Sequence, residues 1–143
     1  MKTVTLIVLT ALFSLACGSG IMDIDMDGED IFSYHSYNTA GEKIASGFID
    51  FSIADTARIE GCWTLFKKTE SGNIGPQHGK GTLTGRIRQN TLILDLHPEH
   101  KDNNIILTAP YNDENMFQGE WKWITYAGIS NQGTFKLTKI VRD

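Results

Sequence analysis

Two cysteines and three prolines in 143 residues leave little with which to staple a fold or to interrupt one. Cys17 and Cys62 can make one disulfide at most, which excludes a disulfide-framed secreted scaffold, and their spacing matches no zinc or Cys-x-x-Cys pattern. Positive charge is also short. Thirteen Lys and Arg stand against seventeen Asp and Glu, for a net charge of −4, a sign poorly matched to a phosphate backbone, so nucleic acid is not an expected partner. Missing too are a Gly-x-Ser-x-Gly elbow, a phosphate-cradling Gly loop ending in Lys-Ser/Thr, and a Cys/His pair at catalytic spacing. The expectation is therefore a non-enzymatic protein with no cofactor. Beyond residue 16 no stretch carries the 3.6-residue apolar period of a helix.

The one long apolar run is Val4 to Ala16, behind the single positive charge of Met1-Lys2-Thr3. It is too short to span a bilayer as a mature helix and reads as a signal peptide over residues 1–16. Its end, Ser14-Leu15-Ala16-Cys17-Gly18-Ser19-Gly20, resembles a bacterial lipoprotein signal. That resemblance implies lipidation of Cys17 and attachment to the membrane through the lipid, with the protein held in the cell envelope at the outer membrane. Ser14 and Ala16 also satisfy the small-x-small rule of ordinary secretory cleavage, so a secreted or periplasmic protein is the alternative. In that case a Cys17–Cys62 disulfide becomes possible. Removing residues 1–16 takes away only Lys2, leaving twelve cations against seventeen acids and a charge of −5.

Residues 17–30 read as a flexible acidic tether. Asp23, Asp25 and Asp27 followed by Gly28 match the opening of a calcium loop, but the twelfth position, where a bidentate Glu belongs, is Tyr34. A solvated linker is the plainer reading, and no metal site is assigned.

From residue 31 the chain alternates. Ile49, Phe51 and Ile53 face one way and Asp50 and Ser52 the other, the period of two that a half-buried strand requires. Ile59, Gly61, Trp63 and Leu65 alternate with Glu60, Cys62, Thr64 and Phe66, which points Cys62 outward. Gly81, Leu83, Gly85 and Ile87 lead through a tight Gln89-Asn90 turn to Leu92, Leu94 and Leu96. Phe117, Gly119, Trp121 and Trp123, and then Phe135 and Leu137, continue the pattern. Gly47, Gly61, Gly81, Gly85, Gly119 and Gly133 all fall on the apolar face, where a sheet needs glycine if it coils sharply or carries a large ring over bare backbone. The prediction is an all-β domain over residues 31–143. Its best architecture is a small antiparallel up-and-down barrel, a meander of about seven or eight strands, with a β-sandwich as the alternative.

The chain also repeats itself. Gly61-Cys62-Trp63 leads to Gly81-Thr82-Leu83, and Gly119-Glu120-Trp121 leads to Gly133-Thr134-Phe135. In a meander alternate connections share an end. Short joins near Asp55-Thr56, at Gln89-Asn90 and over Pro110–Asn115 fall at one end, together with the entry of the chain. The longer ones, Thr69–Gly79, Pro98–Asn103 and Tyr126–Gln132, form a rim at the other end, carrying His78, His97, His100 and Tyr126. His97-Pro98-Glu99-His100 with Asp102 and His78 collects metal-competent side chains, but Pro98 forbids a helix and the spacing fits no zinc signature. Turn chemistry explains Asp102-Asn103-Asn104 equally well. Gly72 to Gly81 reads as a mobile hairpin loop, and Asp95 and Glu120 read as outer-face partners in cross-strand salt links.

Trp63, Trp121, Trp123, Phe117 and Phe135 point inward with Phe51. They fill a solid barrel, or they line a cavity with Trp N–H groups as polar handles for an apolar ligand. The Gly61-x-Trp63 strand in an all-β chain of this size resembles the lipocalin and avidin group of ligand-binding barrels. Lipocalins carry Gly-x-Trp on their first barrel strand, whereas strand-like sequence precedes Gly61 here, and their Thr-Asp-Tyr signature is absent. The resemblance implies a barrel that binds a small apolar ligand through those aromatic residues. A protein that binds another protein at its loop rim, as inhibitors in the periplasm do, is the alternative.

Overall fold

A computed structural model of the chain describes residues 30–53, 58–68 and 72–141. The expected signal peptide, Cys17 and the Asp23, Asp25 and Asp27 segment lie outside these residues, as does the Asp55-Thr56 join.

Eight strands follow one another: β1 (Ile31–Tyr37), β2 (Lys43–Phe51), β3 (Ile59–Lys67), β4 (Gly79–Arg88), β5 (Thr91–Asp95), β6 (Asn103–Pro110), β7 (Met116–Thr125) and β8 (Gly128–Lys139). Each pairs antiparallel with the next, and β8 returns to β1 through Phe32–Lys139 to Tyr37–Thr134, so the meander closes into a barrel. Closure removes the two exposed edges that an open sheet of the same strands would present.

The period of two decides which side chains fill it. Phe32, Tyr34, Ile49, Phe51, Leu65, Leu83, Leu94, Leu107, Phe117, Trp121 and Leu137 are all buried. Each such apolar side chain contributes on the order of 1.5–3 kcal/mol relative to exposure. Near the end where the chain enters, Phe32 stacks on Phe51 with centroids 4.7 Å apart, Phe117 tilts against both, and Tyr111 stacks on Phe117 at 6.1 Å. The Asp30 carboxylate pairs with Lys139 at the mouth of β1 and β8.

The repeat in the sequence is a repeat in register. Trp63 stands opposite Gly81 and Gly61 opposite Leu83; Trp121 stands opposite Gly133 and Gly119 opposite Phe135. In each unit the indole lies over the glycine of the following strand, where a Cβ would come within 2.5 Å of the Trp63 ring at Gly81 and 2.7 Å of Trp121 Nε1 at Gly133. At Gly133 it would also lie 2.0 Å from the Tyr37 carbonyl oxygen, and the first glycine of each unit meets backbone as well. A Cβ at Gly61 would lie 2.0 Å from the Asp50 carbonyl oxygen, and one at Gly119 2.0 Å from that of Thr108. Two copies of one device thus coil the sheet on β3–β4 and again on β7–β8.

Gln89 and Asn90 both adopt left-handed backbone, φ 49° and 58°, as a two-residue hairpin turn of matching twist requires. The connection between β7 and β8 departs from expectation. Tyr126–Gln132 is not a long loop: the turn is Tyr126-Ala127, with Thr125 already paired to Gly128, and β8 runs on from there. The residues Ile129, Ser130 and Gln132 lack the apolar alternation that marks the other strands, so pairing with β7 rather than burial holds this part of β8 extended. A further connection at the rim, Asn38–Glu42, was not expected. The Asn38 side chain accepts from the Ala40 and Glu42 N–H groups at 3.0 and 2.9 Å, a side-chain turn that stands in for backbone pairing.

Candidate functional site

The rim divides into a cap, a cleft and a projecting hairpin. The segment 72–78, expected to be a loose loop, folds over the barrel mouth. Ile74 is 4% exposed and Gln77 fully buried. The Tyr34 hydroxyl donates to Gln77 Oε1 at 2.8 Å, and Gln77 Nε2 donates to the Ile74 carbonyl at 2.9 Å, so the amide locks the segment to the barrel interior and to itself. Burial pushes the Tyr34 pKa upward, which keeps its hydroxyl a proton donor in this bond. Gly75, at φ +64°, lets the chain pass against the face of Trp123, where a Cβ would sit 2.7 Å from the ring. Asn131 Nδ2 bonds the Asn73 carbonyl at 2.6 Å, tying β8 to the cap. The cap residues Ile74, Gly75 and Gln77 were missed in the sequence. A single Ile among Gly, Asn, Pro and Gln was the only trace of them.

The expected ligand-lining residues separate. Trp121, Phe117 and Phe135 are core, and Trp63 is 5% exposed. No tryptophan offers a spare N–H. That of Trp63 donates to the Leu96 carbonyl at 2.6 Å and to Thr82 at 3.1 Å, that of Trp121 to the Tyr37 carbonyl at 2.9 Å, and that of Trp123 to Asn103 Oδ1 at 2.7 Å. Trp123 is half-buried under the cap and not in the barrel centre. The indoles therefore bind strands and loops together.

Beside the cap lies an open cleft of about 360 Å³, with Trp63, Pro76, His78, Lys80, His97, Pro98, Glu99 and His100 among its walls. His78, His97 and His100 thus meet at one place, as the loop placement predicts. Tyr126 does not join them; it stands 90% exposed at the β7–β8 tip with Ile129 at 56%. Asn103 joins the two regions, since it lines the cleft, accepts from Trp123 and pairs with Thr125. Among the described residues no three His, Cys, Asp or Glu side chains are grouped to hold a metal ion. Asp95 is not a salt-link residue: its carboxylate accepts the His97 N–H at 2.9 Å and the Asn104 side chain at 3.1 Å, and so organises the turn that presents His97. Glu120 lies on the outer face, but the cation it approaches, at 3.9 Å, is Lys122 two residues on along β7 and not a residue across the sheet. Cys62 is half-buried on the outer side of β3.

His97 packs edge-on against Trp63, with centroids 4.9 Å apart. Burial lowers its pKa, with the Asp95 carboxylate acting in the opposite sense and the neighbouring imidazoles His100 and His78 lowering it further. His35 on β1 is lowered as well, by burial first and then by Lys43, Lys68 and Lys136. For both, the unfolded chain takes up the proton first as pH falls through about 6.5. Their contribution to stability is complete above that value and is lost as pH falls toward the lower folded-state pKa. The urea midpoint is expected to drop between about pH 7 and about pH 5, and to drop less in His97→Gln. A midpoint flat over that window, or an unchanged slope in the variant, would show that His97 does not carry the effect.

Capped and filled in this way, the molecule is an eight-stranded closed meander whose open surfaces at the rim are the His-rich cleft and the hairpin tip. No protein-family model matches the chain, and no curated protein and no solved structure matches it.

Proposed function

We propose that the protein is an exported, lipid-anchored, non-enzymatic barrel that binds a protein partner through its long-loop rim. The observation that carries this reading is the closed interior: Trp63, Trp121, Phe117 and Phe135 are buried against Phe32, Tyr34, Phe51 and inner-face glycines, Trp123 lies under the cap, and every indole N–H is already engaged. A carrier of a small apolar ligand would need vacant volume beneath Trp63 and Trp121, where Gly81 and Gly133 lie in contact with the indoles. At the rim, by contrast, an exposed aromatic at a hairpin tip stands next to a concave cleft, the knob and hole that protein interfaces use for anchoring. Export and the lipid rest on the Val4–Ala16 run and Cys17. The chain enters β1 at the opposite end of the barrel, so an anchor there leaves the rim facing away from the membrane.

Native mass spectrometry of the mature protein, purified from its host without denaturant, is expected to give the bare polypeptide plus N-terminal lipid. A reproducible additional small-molecule mass would restore the carrier reading. In parallel, the partner retained from envelope extract by the wild type is expected to be lost by Tyr126→Ser with Ile129→Ser, at about tenfold or more in affinity. Equal retention by both would move binding off the rim.

A further inference from the structure

One outer face of the barrel is basic. Alternation places Phe66, Ser46, His35, Lys136 and Gln118 in a single cross-strand row running from β3 through β2, β1 and β8 to β7. Lys68 bonds its backbone N–H to the Ile44 carbonyl one row above, next to Lys43, so Lys43, Lys68 and Lys136 share this side of the sheet with His35, and their charges lower its pKa. Phe66 stands beside them 51% exposed. Among the described residues no carboxylate lies within 4 Å of Lys43, Lys68 or Lys136, since Glu120 approaches Lys122 and the Glu42 carboxylate is held by Asn38. A chain with a net charge of −4 has therefore gathered on one sheet face three lysines that meet no carboxylate among the described residues.

The acids that match them are next to β1 in sequence. Asp23, Asp25, Asp27 and Glu29 precede Asp30 with no cation among them, and Met22, Ile24 and Met26 alternate with the first three. We infer that the acidic segment Asp23–Glu29 folds back along the outside of β1 and docks on the face formed by His35, Lys43, Lys68, Lys136 and Phe66. The reach suffices. His35 stands five residues above Asp30, about 17 Å of strand, and seven extended residues cover up to roughly 23 Å. Each exposed ion pair is weak on its own. A segment tethered this closely meets the face at an effective concentration in the millimolar range, so several acids exchanging over three lysines hold it there without a single fixed geometry. The docking does not depend on a lipid at Cys17. With one, it shortens the free tether to residues 18–22 and draws the barrel toward the membrane.

The test is paramagnetic broadening in the full mature chain. A nitroxide on Met22→Cys, with Cys17→Ser and Cys62→Ser to leave one attachment site, keeps every acid and lysine in place, and the amide spectrum itself reports whether each variant is folded. The amide peaks of His35, Lys136 and Lys68 are expected to lose roughly half their intensity or more at low ionic strength and to recover it at about 1 M NaCl, where the Debye length is about 3 Å. Recovery is likewise expected in Lys43→Gln with Lys68→Gln and Lys136→Gln. Absent broadening, or broadening that persists in salt or in the lysine variant, overturns the inference. Broadening that appears between separately tagged and isotope-labelled molecules assigns the face to a second copy. If vesicles rich in phosphatidylglycerol shift the lysine resonances while the tag leaves them unbroadened, the face belongs to the membrane instead.

Discussion

Replacing Trp121 with alanine is expected to cost about 3–5 kcal/mol of folding stability, the range for removing a large ring from a packed core. Three consequences of one side chain add up here. The ring is fully buried, it covers bare backbone at Gly133, and its N–H donates to the Tyr37 carbonyl at the end of β1. That bond crosses the seam where β8 meets β1, so the variant leaves a cavity and a part-buried carbonyl without its indole donor at the place where the barrel closes. Against a total stability of roughly 5–15 kcal/mol, the loss is a large share, and the melting temperature should fall by roughly 10–20 °C. Thermal and urea unfolding of the two proteins measure it. A fall of only a few degrees would mean that the barrel closes without the indole, and the case for a filled interior would weaken with it. The same arithmetic makes Trp121→Ala a poor probe of ligand binding, because loss of cargo and loss of fold would coincide.

Gly61→Ala is expected to be of similar size although it adds one methyl group. The new Cβ would meet the Asp50 carbonyl oxygen at 2.0 Å and the Phe51 Cβ at 2.9 Å, so the carbonyl of a paired strand must move. A side chain can rotate away from such a contact, but a backbone carbonyl in a ladder can move only by breaking its pairing with β3. Overpacking of this kind costs about 1–3 kcal/mol where side chains can yield, and the upper end or beyond is expected where they cannot. Gly119→Ala, 2.0 Å from the Thr108 carbonyl oxygen, should match it, because the two glycines hold equivalent places in the repeated unit. Ser33→Ala on the outer side of β1 serves as the control. If both glycine variants melt with the control, the sheet is not coiled at these points and the repeat carries no structural meaning.

These two outcomes separate what alternation could announce from what it could not. The period of two in Ile49 to Ile53, Ile59 to Leu65 and Leu92 to Leu96 is a local property, set by the pleat, and it marked both the strands and their buried faces. The short turns between them implied neighbours in order, and the inner-face glycines implied curvature, so a closed meander followed. The co-location of His78, His97 and His100 followed from the same count of turns. Where the strand was held by pairing alone, as over Gly128 to Gln132, no alternation existed to be seen.

The partners of the aromatic residues were beyond such reasoning. Trp63 reads the same whether its N–H awaits a ligand or meets the Leu96 carbonyl 33 residues away, and only the coiling of β3, β4 and β5 brings that carbonyl within 2.6 Å. The cap is of the same kind: Gln77 is a polar residue in a polar loop until Tyr34, 43 positions earlier, supplies the donor that makes it worth burying. Sequence by itself determined the strands, their inward faces and the end of the barrel that carries the histidines, because those depend on neighbours along the chain. Tertiary structure alone decided that the interior is filled and its mouth capped, and that Lys43, Lys68 and Lys136 share one face, because those depend on which distant groups the closure of β8 onto β1 brings into contact.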